Sequence, residues 1–138
     1  MIGTTLKRLG ALALACVVWM GVVLPALGAA GSWSRETTGM MVAMSDRATR
    51  SQALAPPAAP LAGGRIERVH WRFEAPPGAA LRAWLCHPER CVALSGQRGS
   101  LTGLAGLGAD APLEFRFALA PGQRPTRVQG LQVIVNYQ

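Results

Sequence analysis

The chain offers few groups with which to do chemistry. Two histidines, seven carboxylates, three cysteines and one tyrosine are spread over 138 residues. No Gly-x-Ser-x-Gly elbow occurs, so no serine is presented as a hydrolase nucleophile. No two carboxylates stand at a spacing that suggests an acid/base couple. The thiols never fall into Cys-x-x-Cys, which removes the usual redox arrangement. Lysine is confined to Lys7, and no long stretch carries a 3.6-residue apolar period. A helical bundle is therefore not expected, nor is an enzyme, and no cofactor is implied.

The N-terminus carries the first positive signal. Lys7-Arg8 precede an apolar run from Leu9 to Leu24, Pro25 breaks it, and the small residues 26–31 follow. This is the pattern of a secretory signal peptide over residues 1–30, cleaved after Gly28 or Ala30. The run falls short of the roughly 20 residues that a spanning helix needs. Cys16 invites comparison with a lipoprotein acylation site, but the apolar run continues well past it. The expected product is a periplasmic chain of one domain, residues 31–138, with no stable membrane anchor. Its 12 arginines against 7 acids leave a formal charge of 12 − 7 = +5. An exported domain rarely meets nucleic acid, so the charge predicts attraction to acidic partners or anionic envelope surfaces.

Cleavage would leave two cysteines, Cys86 and Cys91, in an oxidising compartment. Strand-like flanks, Leu81–Leu85 and Val92–Leu94, predict a hairpin with a four-residue loop, His87-Pro88-Glu89-Arg90. That places the two cysteines opposite one another, within disulfide reach at a non-hydrogen-bonded pair. Zinc would need both thiols, His87 and a remote ligand such as His70, and adjacent Cys86-His87 seldom point at one ion. The pair is read as a disulfide, with no metal site.

Elsewhere the dominant period is two. Val69, Trp71 and Phe73 alternate with Arg68, His70, Arg72 and Glu74, and Leu113–Leu119 alternates as plainly. Residues 131–138 form a β-rich terminal strand. Met40, Val42 and Met44 would share one face of an early strand, as core filling. Residues 53–64, with three prolines, read as an extended surface connection. The glycine-rich stretch from Gly96 to Gly108 reads as a flexible connection. Short strands at about ten-residue spacing, separated by Pro/Gly turns, predict an all-β fold, a small antiparallel sandwich or barrel.

Candidate sites are surfaces rather than reaction centres. His70, on a wet strand face, and His87, in the hairpin loop, both read as surface histidines. Trp84 shares a strand face with Arg82 and Cys86, opposite Leu81, Ala83 and Leu85. If its face is the exposed one, Trp84 with Arg82 and Arg90 could anchor a protein partner or stack on a glycan, peptidoglycan included. If the terminal strand lies at a sheet edge, Val133, Ile134, Val135, Asn136 and Tyr137 could template another strand, a second copy of the chain included.

Three phrases taken together, "LCHPERCVALSGQRG" from Leu85, "PLEFRF" from Pro112 and the closing "QVIVNYQ", resemble the FlhE family of bacterial flagellar proteins. The order of signal peptide, Gly31-Ser32-Trp33 segment, Trp-containing strand and cysteine hairpin is similar too. Residues 53–64 and 101–110 depart most from the pattern. The resemblance implies a compact β-sandwich of carbohydrate-binding-module kind. It also implies a non-enzymatic periplasmic accessory of flagellum assembly, partnered by rod or export-apparatus proteins. That role would be chaperoning of the rod, prevention of proton leak through the type III export gate, or both.

Overall fold

A computed structural model describes residues 30–57 and 63–138, together with Gly21. The expected export signal, Cys16 included, lies outside the described residues apart from Gly21 and Ala30. All nine elements among the described residues are strands. They are β1 (Gly31–Thr37), β2 (Met40–Val42), β3 (Thr49–Arg50), β4 (Ile66–Glu74), β5 (Leu81–His87), β6 (Arg90–Leu94), β7 (Arg98–Leu101), β8 (Glu114–Leu119) and β9 (Thr126–Tyr137). They pair antiparallel into two sheets. One runs β1-β9-β4-β7, with β2 also on β9, and the other runs β3-β8-β5-β6. The expected small antiparallel sandwich is what forms.

The period-two segments dictate this packing. In β4, Val69, Trp71 and Phe73 turn inward while His70, Arg72 and Glu74 face solvent. In β8, Phe115, Phe117 and Leu119 turn inward from the opposite sheet. Side chains of the two inner faces meet as in other aligned sandwiches. Phe73 from one sheet sets its edge against Phe117 from the other, with ring centroids 4.9 Å apart. Such edge-to-face pairs add about 0.5–1.5 kcal/mol beyond the area they bury.

The terminal strand is not an edge. β9 lies between β4 on one flank and β1 and β2 on the other. Val133 pairs with Arg35 and Trp71, and Val135 with Trp33 and Val69, and both valines are fully buried. The physical reason is its composition. Alternate Leu131, Val133 and Val135 need a covered face, and a twelve-residue strand can serve two short neighbours end to end. Gly130, at φ +60°, marks the bend between the β2 and β1 halves. Residues 133–137 therefore offer no open ladder edge on which another chain, a second copy included, could pair.

The early methionine strand is shorter than expected. Val42 is buried and Met40 half-buried on the inner face, but Met44 lies beyond the strand end. Within the expected surface connection of residues 53–64, Leu54 is buried in a bridge to Leu113. Residues 58–62 lie outside the described residues.

Candidate functional site

The cysteine hairpin is tighter than its expected four-residue loop. His87 and Arg90 pair as the last strand residues, leaving Pro88 and Glu89 as the turn. Proline suits the first central position of such a turn because its ring presets φ near −65°. Directly inside that pair, Cys86 bonds Cys91, with Cα atoms 4.0 Å apart. Cys86 is buried while Cys91 is exposed.

Burial of the hairpin tip changes the role of His87. Ala83, Leu85 and His87 alternate inward, so the imidazole is 6% exposed rather than a surface group. Its Nε2 stands 3.0 Å from the Gly108 carbonyl, and its Nδ1 accepts from the Glu89 amide at 3.1 Å. A carbonyl can only accept and an amide can only donate, so these two contacts suit a ring that donates through Nε2 and accepts at Nδ1. His70 stays on the wet face of the other sheet, and the two histidines share no site.

The glycine-rich connection is not flexible in the way its composition suggests. Residues 98–101 form β7, and the segment after it is held at its carbonyls by side chains from three directions. Arg90 Nη1 donates to Gly103 O at 2.8 Å, His87 to Gly108 O, and Trp33 Nε1 to Ala109 O at 2.9 Å. Backbone bonds add to these: Gly106 N to Ile66 O at 2.8 Å and Ala109 N to Gly64 O at 3.0 Å. Leu104 and Ala109 are fully buried beneath. The segment is a plug over one end of the sandwich, and the stapled hairpin tip is one of its clamps. A sequence signal did exist, since Leu104, Leu107 and Ala109 supply apolar anchors among the glycines.

The candidate binding residues therefore separate. Arg90 is committed to the plug. Trp84 and Arg82 lie together on the outer face of the β3-β8-β5-β6 sheet, Trp84 half-buried. Arg82 places its guanidinium carbon 5.9 Å from the Trp84 ring centroid and donates to Ser45 O at 2.7 Å. One face of the indole is thus already covered by a cation, an arrangement worth about 0.5–1 kcal/mol at an exposed site. Beside Trp84 across the ladder, Arg116 bonds Glu114 at 2.7 Å, and Arg50 approaches the same carboxylate at 3.8 Å. The result is a cationic outer face with one tryptophan edge available. From the last strand, Val133 and Val135 are core, Asn136 and Tyr137 are half-buried, and Ile134 is exposed on the other sheet's outer face. There it borders a shallow concavity of about 370 Å³ with His70, Arg72, Arg98 and Gln132.

Comparison with known proteins converges on one family. The profile described as "Flagellar protein FlhE" matches residues 39–138. The flagellar protein FlhE of Salmonella typhimurium (strain LT2) is 35% identical over 127 residues, covering 87% of this chain and 98% of that protein. Its counterpart from Yersinia enterocolitica is 37% identical over 119 residues, covering 80% and 83%. A crystal structure of FlhE superposes with a TM-score of 0.71 at 34% identity, covering 79% of this chain and 97% of that one. With sequence and fold in agreement, the chain belongs to the FlhE family of flagellar proteins.

Proposed function

We propose that the protein is exported to the periplasm and acts there as a non-enzymatic accessory of flagellum assembly. In this reading it chaperones rod assembly, restrains proton leak through the type III export gate, or does both. The observation that carries it is the family match over residues 39–138, combined with a disulfide that suits an oxidising compartment. The architecture supports a binding role. The one buried histidine is spent on structure, and the cationic outer faces offer surfaces to acidic partners.

Deleting the gene tests this reading. The expected result is impaired swimming or misplaced flagellar filaments, with faster cytoplasmic acidification at low external pH, all restored by the wild-type chain. Normal assembly and normal pH in the deletion strain would refute it. Localisation is checked separately: processed protein in the periplasmic fraction, carrying no free thiol, is expected. An unprocessed cytosolic product with free thiols would overturn it.

A glycan-binding reading rests on Trp84. It has to work against the Arg82 cation that already covers one indole face. Co-sedimentation with purified sacculi that survives moderate salt and is lost in Trp84→Ala would favour it over the protein-binding role.

A further inference from the structure

β7 is the one strand of the larger sheet that ends it beyond β4. Phe73 N donates to Gln97 O at 2.9 Å, which fixes the parity of the ladder. In an antiparallel pair the bonding direction alternates residue by residue. Gln97, Gly99 and Leu101 therefore bond toward β4, and the amides and carbonyls of Arg98 and Ser100 turn outward. No other strand pairs with β7 among the described residues, and both Arg98 and Ser100 are exposed. We propose that this edge takes up an extended acidic segment of another protein by strand addition.

Three features argue for that occupant. Arg98 enters no ion pair among the described residues. It stands beside Arg72, with Arg68 donating to Ser100 Oγ at 3.1 Å, so the outer face along this edge carries three arginines against Glu36 and Glu74. A carboxylate on the incoming strand would meet Arg98, with Ile134 and His70 flooring the concavity beyond. Alternate residues of that strand would turn inward, toward half-buried Leu101 and a cleft of about 160 Å³ lined by Phe73, Leu81, Ala83 and Leu94. An alternating acidic and apolar segment satisfies both faces. A second copy does not, because antiparallel self-pairing of β7 would bring two Arg98 side chains to the same outer face.

The inference deepens the protein-binding role proposed above and rests on it. Its test uses the purified chain and a fluorescent, capped octapeptide alternating glutamate and valine, followed by anisotropy. Arg98→Glu is expected to weaken binding about tenfold or more, the loss of one charge-assisted contact. Ser100→Pro is expected to do the same while leaving the fold intact, because the amide it removes points away from β4. Ser100→Ala should bind as wild type, and a lysine/valine peptide should prefer Arg98→Glu. Absent binding, equal binding by Arg98→Glu and Ser100→Pro, or a dimer in sedimentation whose β7 amides are already protected would each overturn the assignment. In the deletion strain, full rescue by both variants would also overturn it while leaving the flagellar reading intact, whereas a deletion with no phenotype would count against that reading alone.

Discussion

His87→Ala separates a structural histidine from a decorative one. The substitution removes a buried ring and leaves the Gly108 carbonyl and the Glu89 amide without their partners. Each of these part-buried hydrogen bonds contributes about 0.5–1.5 kcal/mol net, and the vacated ring adds a packing loss of about 1 kcal/mol. The expected destabilisation is about 2–4 kcal/mol, a large share of the roughly 5–15 kcal/mol that holds a domain together. At about 4 °C per kcal/mol for a domain near 100 residues, Tm should fall by about 8–16 °C. Urea unfolding monitored by tryptophan fluorescence measures the loss. Hydrogen exchange locates it, since the Gly106 and Ala109 amides of the plug should lose protection before the β4 and β9 ladders do. Two conservative variants split the effect. Asn can mimic Nδ1 and accept from Glu89, while Gln can mimic Nε2 and donate to Gly108, so each should recover part of the loss. A change within about 0.5 kcal/mol, the range of ordinary surface substitutions, would show that the ring does not hold the plug.

Other perturbations probe the rest of the frame. Replacing both Cys86 and Cys91 by Ala releases a six-residue loop, for which the chain-entropy relation gives about 2 kcal/mol; the variant should fold with a lower urea midpoint, and failure to fold would mean that the staple does more than close a short loop. Trp33→Phe keeps an aromatic ring but removes the bond to Ala109 O and part of the indole's buried volume, so about 1–3 kcal/mol should be lost in the same assay; an unchanged midpoint would detach Trp33 from the plug. In Gly39→Ala the new Cβ would sit 2.7 Å from the Val128 backbone carbonyl, so β2 must shift away from β9 at a cost of about 1–3 kcal/mol; a neutral result would show that the β1–β2 corner yields freely.

What could be read from the chain follows the physics of each segment. Alternation with a buried face is local information, and it placed Val69, Trp71, Phe73, Phe115 and Phe117 in the core. The cysteine register was equally local, because two thiols with four residues between them, flanked by strands, admit few geometries. Strand order was not local. Nothing within residues 131–138 says whether one neighbour or two will pair with them, and the edge reading failed there. His87 was misplaced by one choice, a four-residue loop in place of two. That choice decides whether the residue closes a strand facing inward or rides a turn in solvent. The glycine-rich plug was hidden for a different reason. Its order comes from donors on Trp33, His87 and Arg90, brought in from other parts of the chain.

The edges of the two sheets are treated unequally, and the difference bears on partner choice. Beside β3, only two residues long, the chain continues through the bridge at Leu54 into Pro56-Pro57, which cannot extend a ladder. Across the same side, Arg35 on β1 donates to Ala55 O at 2.7 Å and straps the sheets together. On the opposite side, β6 carries the disulfide, and the plug packs so closely on Val92 that a Cβ at Gly103 would meet its side chain at 2.8 Å. The prolines beside β3 and the plug on β6 cover parts of those two edges without reference to charge. β7 is instead guarded by arginine, which blocks selectively: it repels a second copy and other cationic strands while attracting acidic ones. A domain that needed protection from aggregation alone would gain as much from a proline at position 100. The retained Ser100 amide and the Arg98 guanidinium, which enters no ion pair among the described residues, suit the proposed strand-accepting edge.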